Sequence, residues 1–139
     1  MKTQQDAAVF LLRIALAVGF LSAVASRLNL WGAQSSGWKN FVHYTAETNS
    51  FLPQSWAAIL AVLSTIAELS IGILLLLGFQ IKRTATYASI LTLFFAIAMS
   101  ISFGIKEPLD YSVFVFSAGA FLLSTFSRYE WSLDQFLRQ

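Results

Sequence analysis

Four continuous apolar runs dominate the chain, at roughly residues 7–27, 55–79, 84–104 and 109–127, and charged residues gather mainly in the stretches between them. Each run is close to the ~20 residues that a helix rising 1.5 Å per residue needs to cross a hydrocarbon core ~30 Å thick. The runs are rich in Leu and Ala and do not alternate, so they are not the staves of a membrane β-barrel. The pattern predicts an all-α, integral membrane four-helix bundle. Gln80-Ile81-Lys82-Arg83 reads as a tight basic turn between the second and third helices, and Lys106-Glu107-Pro108 as the stop of the third. Pro108 then falls in the first turn of the fourth, where its missing N–H costs nothing. Connections this short make helices two to four antiparallel neighbours, and residues 1–139 a single transmembrane domain.

The one long connection, residues 28–53, carries its own helical pattern. In WKNFVHYTAETN, Trp38, Phe41, Val42 and Thr45 share one face, while Lys39, His43 and Glu47 form an i, i+4, i+8 row on the other. This predicts a short interfacial helix with Trp31 and Trp38 at headgroup level and Ser35 or Ser36 as its cap. Such a helix serves either as an aromatic anchor or as a lid over a site between the spanning helices. The C-terminal RYEWSLDQFLRQ, with Trp131, Leu133, Phe136 and Leu137, reads as an interfacial stub.

Composition narrows the chemistry. The chain is 57% hydrophobic and 12% charged, about half the charge fraction of soluble domains. It has no cysteine, which excludes a disulfide, a thiolate nucleophile and a Cys-type metal site, and nothing indicates a metal or thiol cofactor. His43 is the only histidine, so a His-rich metal or haem site within one chain is excluded and at most one axial ligand remains. The net charge of +2 is scattered along the chain, without the basic patch that nucleic acid requires. Lys2, Lys82, Arg83, Arg128 and Arg138 collect on one side of the predicted membrane, and Arg27, Lys39 and Lys106 on the other. The positive-inside rule therefore places both termini in the cytoplasm. Residues 1–26 also resemble a secretory signal, with Ala23-Val24-Ala25 as a cleavage site, but Arg13 interrupts the apolar run that a signal needs.

Glu68, in STIAELSIGILLLLG, is the residue that most needs explaining. It lies more than ten residues from either end of its run, where an isolated charge costs about 2.5–3.5 kcal/mol. Ser64, Thr65 and Gly72 at i−4, i−3 and i+4 give it a small, polar stripe facing inward. Arg13 is the one basic residue well inside another span and the expected partner, with a backbone depth difference of about 8 Å by helix rise. Two readings of the pair compete: a structural pin between helices, or a polar site handling a proton, an anion or a quinone head group. Small residues at i+4 steps in the third and fourth helices (Ala88, Thr92, Ala96 and Ser100; Ser117, Ala120 and Ser124) read as packing seams. Lys106, Glu107, Asp110 and Tyr111 cluster at the outer mouth. Ala15, Gly19 and Ala23 would pack either within the protomer or in a homodimer.

Three stretches together, LLRIALAVGFLSAVASRLNLWG, TIAELSIGILLLLGFQIKRTA and FFAIAMSISFGIKEPLDYSVFVFSAGAFLL, resemble the DoxX family of small four-helix bacterial membrane proteins. Arg13 matches an Arg early in the family's first helix. Glu68, Gly72, Gly78 and Arg83 match an acidic residue followed by a Gly- and Leu-rich run and a basic turn. The resemblance implies a four-helix bundle in the cytoplasmic (inner) membrane, contacting the lipid bilayer. Family relatives include a subunit of a thiosulfate:quinone oxidoreductase and membrane partners of redox or detoxification enzymes. The expectation that follows is a component of a quinone-linked redox system, with a soluble or membrane partner subunit and quinone as its cofactor. In it Glu68 exchanges a proton and Arg13 stabilises the reduced head group. Ser64 and Thr65 line the site, and Trp31, Trp38 and His43 roof it. The rivals are a non-catalytic membrane anchor or assembly partner, and transport of a small molecule or anion.

Overall fold

The computed structural model describes residues 3–139; Lys2, used above for orientation, lies outside the described residues. Among those residues every regular element is helical: α1 (Gln4–Arg27), α2 (Trp38–Thr48), α3 (Ala57–Leu77), α4 (Ile81–Phe103), α5 (Lys106–Asp110), α6 (Val113–Ser124) and α7 (Leu133–Leu137). Three of them, α1, α3 with its leading turn, and α4, are long and apolar enough to cross a membrane. Only 33%, 33% and 28% of their most hydrophobic windows is buried inside the protein, so most of that apolar surface faces outward, where lipid would cover it.

Local chemistry sets the helix ends. Thr3 and Asp6 form a capping box at the start of α1, with the Asp6 N–H donating to Thr3 Oγ1 (3.2 Å) and the Thr3 N–H to the Asp6 carboxylate (2.8 Å). α3 ends at Gly78, whose φ of +73° is the left-handed conformation that closes a helix C-terminus, and the Phe79 N–H returns to the Leu74 carbonyl at 2.9 Å. α4 begins directly after this turn. The basic turn expected at 80–83 is therefore the first turn of a helix, although cations there oppose the helix dipole. Asp134 compensates, its two carboxylate oxygens accepting the N–H groups of Gln80 (2.7 Å) and Ile81 (2.8 Å).

The fourth apolar run departs furthest from expectation. In place of one helix over 109–127 there are two pieces, α5 and the 12-residue α6, separated by Tyr111 and by Ser112 at φ +56°. A left-handed residue cannot sit inside a helix. At ~1.5 Å per residue, α6 alone covers only about 18 Å. Pro108 is buried in the middle of α5, whose ends are tied by an ion pair between Lys106 and Asp110. The cap of α2 also differs: Gly37 occupies it with φ +78°, while Ser35 Oγ accepts the Trp31 N–H (2.9 Å) and Ser36 bonds to Ser26.

The long helices make a closed ring of contacts, α1 on α3, α3 on α4, α4 on α6 and α6 on α1. The ring is packed unequally along its length. Its apolar core joins Leu16, Ala17 and Phe20 of α1, Ile71 and Leu75 of α3, Ala85 and Ala88 of α4, and Ala120 and Leu123 of α6. All of these lie in the half of the ring near Gly78. In that half Ser117 Oγ donates to the Ser89 carbonyl (2.8 Å), so the small-residue seam joins α4 to α6. Ala15, Gly19 and Ala23 stay on the exposed side of α1. In the opposite half α3 and α4 separate, and α2 packs across both.

Candidate functional site

Where α3 and α4 part, they enclose a cavity of about 490 Å³, within the ~300–1,000 Å³ range of small-molecule sites. Leu60, Leu63, Ser64 and Ala67 of α3 form one wall, Leu91, Phe94, Phe95, Ala98 and Met99 of α4 the other, and Val113 of α6 contributes behind them. Phe41, Tyr44, Thr45 and Thr48 of α2 form the roof. The walls are mainly apolar. Leu63 and Phe94 are 58% and 64% exposed, so the cavity opens sideways between α3 and α4 onto the surface that lipid would cover. Polar groups are few. Thr48 Oγ1 is buried without a well-aligned hydrogen bond, and Arg27 stands at the cavity's edge.

Arg27 is the last residue of α1 and is 8% exposed. Its guanidinium is held from three sides. Nη1 donates to Thr65 Oγ1 (3.0 Å), Nη2 lies 2.6 Å from Glu68 Oε2, and the Phe41 ring centroid is 3.7 Å from Cζ. The contact to Glu68 is a close ion pair between two buried side chains. Glu68, 3% exposed, does not line the cavity; Arg27 stands between them. A guanidinium in this position can bind an electronegative group in the cavity on one side while holding a carboxylate on the other.

The buried partner of Glu68 is therefore Arg27 and not Arg13. Gly72 packs on Phe20 and Leu21, and Gly78 meets Arg13, which fixes the register of antiparallel α1 and α3. In that register Arg13 is about 16 Å from the level of Glu68, twice the separation that counting from helix ends suggested. Arg27, by contrast, is about one turn beyond Glu68 and reaches back. The sequence did contain a signal for it. Arg27 follows Arg13 by two heptads, so both lie on the buried stripe of α1 that includes Leu16, Phe20 and Val24.

Arg13 belongs to a separate assembly. Its Nη2 donates to the Trp131 carbonyl (2.8 Å), and Cζ lies 5.3 Å from the Phe10 ring centroid. With Arg128 paired to Asp6 (3.1 Å) and the Asp134 N–H bonded to the Gly78 carbonyl (2.9 Å), it fastens the C-terminal segment across the end of the ring. The other expected site residues divide. Thr65 holds Arg27, and Ser64 lines the cavity while its hydroxyl donates to the Ala61 carbonyl (3.1 Å). Trp38 packs on Phe41 from outside the cavity, with ring centroids 5.9 Å apart. Trp31 folds onto α1, its indole N–H donating to Ser22 Oγ (3.1 Å). His43 faces away, with its side chain 76% exposed and paired to Glu47 at 3.2 Å. The roof of the cavity is thus the Phe41 and Thr45 face of α2, with Tyr44 and Thr48 added.

No curated protein and no solved structure matches the chain. The model of the DoxX family matches residues 8–101, a stretch that holds most of α1, all of α2 and α3 and nearly all of α4, and with them Arg13, Arg27, Glu68 and most of the cavity; the chain belongs to the DoxX family.

Proposed function

We propose that this protein is a bacterial inner-membrane component of a quinone-linked redox system, with its site in the cavity between α3 and α4. The observation that carries the reading is the cavity itself: mainly apolar walls, a lateral opening towards lipid, and Arg27 backed by buried Glu68 at its edge. A flat, lipid-soluble ring with a polar head fits those features, since it can enter from the bilayer and needs only one or two hydrogen-bond donors at its end. Arg27 and the buried Thr48 hydroxyl are the groups placed to hold the head, Phe41 and Phe95 to cover the ring, and Glu68 to hold or release a proton behind Arg27. A bound quinone would supply two-electron redox chemistry coupled to proton uptake. In this reading a partner subunit supplies the electrons. In this reading α5 and α6 together make the fourth crossing, α2 lies at the outer interface, and both termini are cytoplasmic.

The test is mass spectrometry of lipid-soluble molecules that copurify in mild detergent. A quinone retained by the wild type and by Arg13→Ala, and lost from Arg27→Ala, supports the reading. A second function, membrane anchor or assembly partner, is favoured by one specific feature: Glu68 is sealed behind Arg27 instead of lining the cavity. Under that reading no quinone is retained, and Glu68→Gln mainly lowers stability instead of removing a redox activity.

A further inference from the structure

A second cavity, of about 530 Å³, lies at the opposite end of the ring from the one described above. Its wall carries Lys82 and Arg83 from the first turn of α4 and Arg138 just past α7, together with Ser127 and Phe126. One acidic group, Asp134, is also present, but both of its oxygens are occupied by the amides of Gln80 and Ile81. Among the described residues Lys82, Arg83 and Arg138 make no ion pair; Arg138 has only a 3.4 Å hydrogen bond to the Ser127 carbonyl. Three cations from two separate elements thus face one cavity with a single, already engaged, carboxylate. Three cations against one carboxylate leave the cavity with an excess of positive charge, and it has room for an anion.

The position of the cavity narrows the anion. It sits at the ends of the spanning helices α3 and α4, beside α7, whose Phe136 and Leu137 are 71% and 65% exposed. A short helix with such a face lies in the interfacial layer with its apolar side in lipid, and that sets the cavity mouth at the depth of lipid phosphates. We infer that the cavity formed by Lys82, Arg83 and Arg138 binds a phosphate group, as carried by the head of an anionic phospholipid or by free phosphate. The inference rests on the membrane-spanning architecture and is independent of quinone binding at the other end.

Native mass spectrometry of the full chain in mild detergent, incubated with phosphatidylglycerol or with phosphatidylcholine, tests it. The wild type is expected to retain phosphatidylglycerol preferentially. Removal of each cation in Lys82→Gln, Arg83→Gln and Arg138→Gln should weaken retention by about five-fold, as for a basic residue at a lipid surface. All three side chains are exposed, so the single variants should fold as the wild type does. Lys106→Gln, at the other end of the molecule, should change nothing. A second arm measures inorganic phosphate alone by phosphorus NMR line broadening. Phosphate binding that the same substitutions remove, without any phospholipid preference, supports the site with free phosphate as its ligand. Equal retention by wild type and all three variants in both arms overturns the proposal.

Discussion

Glu68 and Arg27 make each other tolerable inside the bundle, and that mutual dependence can be measured. Arg27→Ala strands a carboxylate among apolar side chains and should cost about 3–5 kcal/mol, seen as a large drop in thermal unfolding temperature in detergent. The double variant Arg27→Ala with Glu68→Gln should be more stable than Arg27→Ala alone, because the stranded charge is gone; equal stabilities would show that the two are not coupled. The sequence announced Glu68 plainly, since a carboxylate in the middle of an apolar run has few explanations. Its partner was harder to read. The connection between α1 and α3 is long enough to permit several registers, so depth counted from run ends could not choose between the two arginines. What chose was packing at Gly72 and Gly78, where absent side chains admit Leu21 and Arg13. Tyr129 adds a pH-dependent term. Its hydroxyl is buried and donates to the Leu123 carbonyl (2.8 Å), and burial, helped by nearby Asp134, raises its pKa above the usual tyrosine value. Below about pH 10, the ordinary tyrosine range, both folded and unfolded forms keep the proton and the contribution is intact. As pH rises through the raised folded value, the unfolded chain ionises first and stability falls. Tyr129→Phe should remove that alkaline loss, as followed by melting temperature against pH.

Among the elements, the C-terminal segment gained a role that its sequence did not show. Read as an interfacial stub, it is also a latch: Arg13 holds Trp131, Gly78 holds the Asp134 backbone, and the Asp134 carboxylate caps α4. Nothing in the local sequence of residues 128–139 marks Asp134 as the cap of a helix that begins 53 residues earlier. The hint lay elsewhere, in the basic first turn of α4, which needs a compensating anion. Asp134→Ala should therefore cost about 0.5–2 kcal/mol, the range for loss of an N-cap. Limited proteolysis should then cut within 128–139 faster than in the wild type, while the helices stay intact by circular dichroism. Unchanged cleavage would mean that the contacts of Arg13, Arg128 and the Gly78 carbonyl hold the segment without the Asp134 carboxylate. Gly78→Ala should release the latch more completely. It places a Cβ where the Arg13 guanidinium and Ser132 already lie, in a backbone conformation that disfavours it. The helices themselves were well marked, with the long runs found to within a few residues of their ends, because hydropathy over twenty positions averages out local exceptions. The break before α6 was not, since it depends on one backbone angle at Ser112 that no periodicity records.

Across the whole molecule, dense packing at the Gly78 end and the cavity at the Arg27 end follow from where the small and large residues fall. Ala85, Ala88 and Ala120 let the helices close, whereas Phe94, Phe95 and Met99 keep α3 and α4 apart under the roof of α2. The two halves therefore meet different depths of the bilayer, and orientation decides which leaflet can supply the cavity. Lys82 and Arg83 at one end against Lys106 at the other give the basis for a test, and the absence of native cysteine makes it clean. Single variants Lys82→Cys and Lys106→Cys replace exposed side chains, so neither should disturb the fold. With both termini cytoplasmic, a membrane-impermeant maleimide added to spheroplasts should label Lys106→Cys at once and Lys82→Cys only after the membrane is opened. That result would place the cavity in the outer leaflet half, with Arg27 reached by a lipid-soluble ligand from that side and the latch facing the cytoplasm. The reverse labelling would invert the molecule and turn the cavity towards the cytoplasmic leaflet, so that a soluble electron donor would meet α2 directly instead of the C-terminal latch.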